Sequence, residues 1–141
     1  MIPKAALGLG LAGLVPFVAC AVALLTGWPM LLVGREALIM VHYGIIILAF
    51  MSGVLWGFAT RAAGRAATIG YALSVLPALW AFLTTLGPTS QALTALIIGY
   101  LGLLGLDWHF WRLTLAPPWW LRLRLILSAG VLASLAVGVY A

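Results

Sequence analysis

Acidic side chains are almost missing from this chain: Glu36 and Asp107 are its two carboxylates, and charged residues of both signs fill 6% of its 141 positions. Soluble domains carry about 25% charged residues, so a soluble globular fold is excluded. Cysteine is as scarce. The one thiol, Cys20, sits inside an apolar run, which excludes a disulfide framework or a multi-cysteine metal site within one chain and leaves a buried, inert thiol as the expectation. Also missing are a Ser/His/Asp arrangement, a phosphate-binding glycine loop, an HExxH and a CxxC. The chain is therefore read as a non-enzyme, with no catalytic residues, no metal site and no cofactor.

What is there is hydrocarbon. Hydrophobic residues make up 66% of the chain, and the mean hydropathy is +1.24. In lipid only helices or a closed barrel satisfy the backbone, and apolar runs that are continuous, not alternating, select helices. Five runs approach the length of roughly 20 residues needed to cross the hydrocarbon: about Ala5 to Thr26, Ala37 to Thr60, Ala66 to Leu86, Ser90 to Trp111 and Leu121 to Ala141. The links carry helix breakers: Gly27-Trp28-Pro29 with Gly34, Arg61 to Arg65 around Gly64, Gly87-Pro88-Thr89-Ser90, and Ala116-Pro117-Pro118. Short links force neighbouring helices antiparallel, so the expected architecture is all-α, a single transmembrane domain over residues 1–141 built as a five-helix bundle. The first run resembles a secretory signal, but Pro16 and its continuation to Leu25 exceed a signal core, so it is read as a retained span.

Orientation follows from the basic residues. With the N-terminus in the cytoplasm, that side holds Lys4, Arg61, Arg65, Arg112, Arg122 and Arg124, and the other side holds Arg35 beside Glu36. This asymmetry predicts the N-terminus inside and the C-terminus outside a bacterial inner membrane. It also accounts for the net charge of +5 without nucleic acid, because seven cations spread over several loops form no binding stripe. On opposite faces, Glu36 and Asp107 cannot act as a catalytic pair.

The stretch LGLDWHFWRLTLAPPWWLRLR, residues 104–124, gathers most of the remaining polarity. It reads as an interfacial belt in which Trp108, His109, Trp111, Trp119 and Trp120 sit at headgroup depth while Arg112, Arg122 and Arg124 reach membrane lipids. Asp107 lies about one turn inside the fourth span, where an unpaired carboxylate is costly. It is expected to pair with Arg112, Arg122 or Arg124, pinning the fourth span to the fifth. His42 and His109 fall at opposite ends of the bundle, too far apart to share a metal or haem.

In the second span, His42, Ile45, Ala49, Ser52, Gly53 and Trp56 share one side, read as the packing side, while Ile46, Ile47, Leu48 and Leu55 include positions free to meet lipid. Gly53 and Gly57 form a GxxxG expected to pack against another helix of the same chain. The third span carries a weakly polar stripe of Tyr71, Ser74, Ala78, Ala81 and Thr85 around Pro77. Such stripes pack helices, and where Pro16 and Pro77 bend the spans they can line a pocket for a flat apolar ligand. His42, Trp56, Tyr71 and Trp80 are the candidate lining.

LGLAGLVPF in the first span, FMSGVLWGFA in the second, SVLPAL in the third and PPWWLRLRL entering the fifth resemble the uncharacterised family that includes human transmembrane protein 69. Gly53, Trp56 and Gly57 carry the most specific part, and Ser52 stands where a further glycine is expected. The resemblance implies a small multi-helix protein of the bacterial inner or mitochondrial membrane, with no catalytic residues to transfer. In size, helix number and tryptophan content the chain is also similar to the tryptophan-rich sensory (translocator) proteins, five-helix bundles that bind porphyrins and sterols. Two functions follow as expectations: an accessory or assembly subunit partnered by other membrane proteins, or a binding or transport protein for a hydrophobic small molecule such as a quinone, sterol or tetrapyrrole.

Overall fold

The computed structural model describes residues 1–28 and 30–141; Pro29, which the sequence places in the first link, lies outside the described residues. Seven α-helices are present among them: α1 (Lys4–Ala12), α2 (Val15–Thr26), α3 (Glu36–Ala59), α4 (Gly64–Ser74), α5 (Leu76–Thr84), α6 (Thr89–Arg112) and α7 (Trp120–Tyr140), with a 3-10 turn at Met30–Leu32. They make five segments long and apolar enough to cross a membrane, because α1 continues into α2 and α4 into α5.

Both broken segments owe their break to proline. A proline has no N–H and its ring crowds the carbonyl four residues back, so the helix ladder loses a rung. Pro16 sits in the first turn of α2, and the Tyr43 hydroxyl donates across to Gly13 O at the break (2.8 Å). Pro77 sits in the first turn of α5, and there Ala78 N–H leaves the ladder and donates to Ser52 Oγ on α3 (2.9 Å). Each bend is thus fixed by a polar group on α3. Gly27, at φ 75°, ends α2 in the left-handed conformation that glycine adopts without a Cβ clash.

The unbroken helices form the centre. α3 packs on α2, α4, α5 and α6, while α7 packs on α6 and α2. α1 leans on α7. The core is a column of large side chains from these helices, with Phe17, Met40, Leu48, Leu55, Leu96, Tyr100, Leu103, Phe110 and Leu135 fully buried. Tyr100 buries its hydroxyl by donating to Gly44 O (2.7 Å). Because lipid supplies little hydrophobic drive between helices, close approach matters, and glycine permits it. At Gly99 a β-carbon would lie 2.7 Å from Trp80 Cδ1 and 3.0 Å from Leu48 Cδ2.

The faces of α3 depart from the sequence reading at several positions. Of the four positions read as including lipid-facing ones, Ile46 is 62% exposed but Leu48 and Leu55 are 0% exposed, whereas on the side read as packing Trp56 is 47% exposed and His42, Ala49 and Gly53 are exposed with it. On that side Ser52 turns inward, accepting from Ala78 N–H, and Ile45 packs partly buried against the core. Nor does the GxxxG join helices within the chain: a β-carbon at Gly53 or Gly57 would meet nothing within 4 Å. The third-span stripe does pack inward, with Ser74 and Ala81 buried.

Gly99→Leu is expected to destabilise the bundle by about 1–3 kcal/mol through overpacking against Trp80 and Leu48. Gly53→Leu is expected to leave stability within about 0.5 kcal/mol. Thermal melting in detergent compares the two.

Candidate functional site

The polar centre of the molecule is built on the buried faces of α6 and α7. Along α6, Leu96, Tyr100, Leu103, Asp107 and Phe110 follow each other at three- and four-residue steps and are all buried, so Asp107 rides the stripe that faces the core. Along α7, Arg124, Ser128, Val131 and Leu135 do the same. The link between the helices turns tightly, with Thr114 at φ 60° and the amides of Leu115 and Ala116 both donating to Phe110 O (3.1 and 3.4 Å). Trp111 Nε1 donates to Pro118 O (3.0 Å), and Arg61, just beyond α3, donates to Leu115 O (2.9 Å).

This turn delivers two donors to one carboxylate. Arg124 Nε donates to Asp107 Oδ2 (2.8 Å), and Trp120 Nε1 donates to Asp107 Oδ1 (3.0 Å). Asp107 is 0% exposed and Arg124 4%. Charge-assisted bonds at this length are among the stronger ones, and both carboxylate oxygens are occupied. The expected ion pair therefore exists with Arg124, leaving Arg112 and Arg122 outside it. Trp120, read from the sequence as an anchor at headgroup depth, is instead the second donor to this carboxylate. Its signal is the four-residue spacing from Arg124, which places both donors on one face of α7. Phe58 closes the site, meeting the Trp120 ring edge-on at a centroid distance of 5.0 Å.

The belt thus divides. Trp108, Trp111, Arg112 and Arg122 are exposed, with the Arg112 guanidinium 4.7 Å over the Trp108 ring, and His109 and Trp119 are half-buried. Arg124 belongs inside, because the Asp107 carboxylate compensates its burial.

The four candidate pocket residues do not line one cavity. Trp56 stacks on Tyr71 at 4.6 Å and lines a groove of about 410 Å³ with Ser52, Gly53 and Ala78. Trp80 lines a separate groove of about 550 Å³ between α5 and α6, its Nε1 donating to Ala95 O (2.7 Å). His42 stands exposed on α3, Nδ1 3.0 Å from Leu38 O. It is fourteen residues from Trp56, about 21 Å along one helix. No group of three or more metal-ligating side chains occurs among the described residues.

A further recess lies elsewhere. A cleft of about 510 Å³ runs between α1, α3 and α7, walled by Leu9, Phe17, Val54, Phe58 and Leu127, with Trp120 and Arg124 at one end. The spacing of the basic and apolar residues gave no sign of it, since it arises from α1 leaning on α7 beyond the Pro16 break.

Five apolar spans, a glycine-packed core and a compensated buried ion pair define a multi-pass membrane protein. Over residues 2–140 the chain matches the family described as Protein of unknown function (DUF3429), and it belongs to that family. It is similar to Transmembrane protein 69 of Xenopus tropicalis, 36% identical over 142 residues that cover 94% of this chain and 53% of that protein. Transmembrane protein 69 of Mus musculus is 34% identical over 136 residues, covering 88% of this chain and 51% of that one. The chain spans about half the length of these curated relatives. No solved structure matches it.

Arg124→Met is expected to cost about 3–5 kcal/mol, because it strands the Asp107 carboxylate in the core. Adding Asp107→Leu to that variant is expected to recover much of the loss, so the double variant melts above Arg124→Met alone.

Proposed function

We propose that this protein is a non-enzymatic accessory or assembly subunit that holds other membrane chains, with its basic end in the cytoplasm of a bacterium. The observation that carries this reading is the open face of α3. Ala49, Gly53, Trp56 and Gly57 are exposed and side by side, and a β-carbon at Gly53 or Gly57 would meet nothing within 4 Å. The bundle uses Gly44, Gly99, Gly130 and Gly138 for its own close contacts, so these two are not spent internally. A small-residue face of this kind admits a second helix to backbone distance, where dispersion and weak polar contacts hold helices together in lipid. The buried polar groups support the same reading, because Asp107 has both oxygens occupied and serves as a brace.

The orientation rests on the six cations at the end formed by the starts of α1, α4 and α7 and the ends of α3 and α6. A second reading, binding of a hydrophobic small molecule, is favoured by the cleft beside α1.

Gentle extraction of the tagged protein from native membranes is expected to recover one membrane partner in fixed stoichiometry. Gly53→Leu with Gly57→Leu is expected to abolish that recovery while leaving the melting temperature of the isolated protein unchanged. Recovery that survives both substitutions would count against α3 as the contact.

A further inference from the structure

We infer that the cleft between α1, α3 and α7 holds one anionic glycerophospholipid, its acyl chain along the cleft and its phosphate on the Arg124 guanidinium. Arg124 spends one N–H, at Nε, on Asp107, and its two terminal amino groups have no hydrogen-bond partner among the described residues. They are nonetheless not sealed in. Ser128 Oγ is the sole fully enclosed side-chain polar atom without a partner among those residues, so the Arg124 amino groups retain some access, and Arg124 is itself part of the cleft wall. Donors on a nearly buried guanidinium beside an apolar recess call for oxygen acceptors, since leaving them unpaired is costly.

Depth and length fit a lipid of one leaflet. Arg124 lies four residues into α7, about 6 Å below its start, which is near headgroup depth. From Trp120 to Val131, both in the cleft wall, the helix rises about 16 Å, roughly half of a 30 Å hydrocarbon core. Trp119 and Pro117 stand at the mouth, and Leu9, Phe17, Val54 and Leu127 supply the apolar walls.

Charge selects the headgroup. Asp107 cancels Arg124, but Lys4, Arg61, Arg65, Arg112 and Arg122 remain at this end with no further carboxylate. A neutral carbonyl could satisfy the Arg124 donors. A phosphate diester does so with charge-assisted bonds and also answers the uncompensated positive field.

Native mass spectrometry of the purified protein, with melting measured in parallel, tests this using added phosphatidylglycerol, phosphatidylcholine of the same acyl chains, ubiquinone or inorganic phosphate. The expected result is a one-to-one phosphatidylglycerol adduct, at least about tenfold favoured over phosphatidylcholine. Phosphatidylglycerol is also expected to raise the melting temperature, as any ligand of the folded state does, and inorganic phosphate to leave it unchanged. Val54→Trp, which fills the cleft without touching the ion pair, is expected to lose the adduct. Leu9→Trp, on the exposed edge of α1, repeats the blockade if Val54→Trp does not fold. Equal retention of both phospholipids, preferential retention of ubiquinone, a shift produced by phosphate alone, or an adduct indifferent to the blocking substitutions would each overturn the assignment.

Discussion

A carboxylate with no exposure to solvent is the constraint around which the rest of this bundle is arranged. Removing Asp107 from water is tolerable because Arg124 and Trp120 each supply a donor at hydrogen-bond distance. That requirement fixes the register of α7 against α6, since both donors must reach one side chain. It also fixes the turn between them, where Thr114 takes a backbone conformation few side chains adopt. Phe58 and Phe110 then pack against the pair and bring α3 into line. A single polar contact near one end of the bundle thus orients three of the five spans.

Further along the bundle, three polar contacts between helices meet a backbone atom at a proline break or a glycine. Ser52 takes the amide freed at Pro77, Tyr43 meets the carbonyl beside the Pro16 break, and Tyr100 reaches Gly44 O where glycine leaves the helix surface open. In hydrocarbon such bonds add modest stability each, but they act where the helix ladder or its side-chain cover is incomplete. Proline and glycine therefore mark in advance where the cross-links fall.

How much of this could be read from the residues divides along a physical line. The five spans follow from continuous hydrophobicity, and the ion pair between α6 and α7 follows from the cost of a lone carboxylate one turn inside a span. The choice of Arg124 over Arg112 and Arg122 needed one more step: Trp120 and Arg124 lie one helical turn apart and aim together. The faces of α3 were not legible, because lipid is as apolar as a protein core. Leu48 and Leu55 could have faced either, and a polar-looking edge containing His42 and Trp56 does not signal burial in a membrane as it would in water. The candidate pocket failed for the same reason. Trp56 and Trp80 are large aromatic side chains used to cover neighbouring helices, on different sides of α5, and nothing in their spacing distinguishes that use from lining a cavity.

The position of α7 bears on the order in which the molecule can assemble. α1 and α2 both pack on α7, about a hundred residues later in the chain. As the polypeptide leaves the ribosome and enters the bilayer, these first helices pass the whole of that interval without their neighbour, while Leu14 and Gly10 await the surfaces at Gly130 and Leu127 that complete them. Contacts distant in sequence form late. The bundle is closed by its last strand of helix, like a ring whose clasp is made after everything it joins.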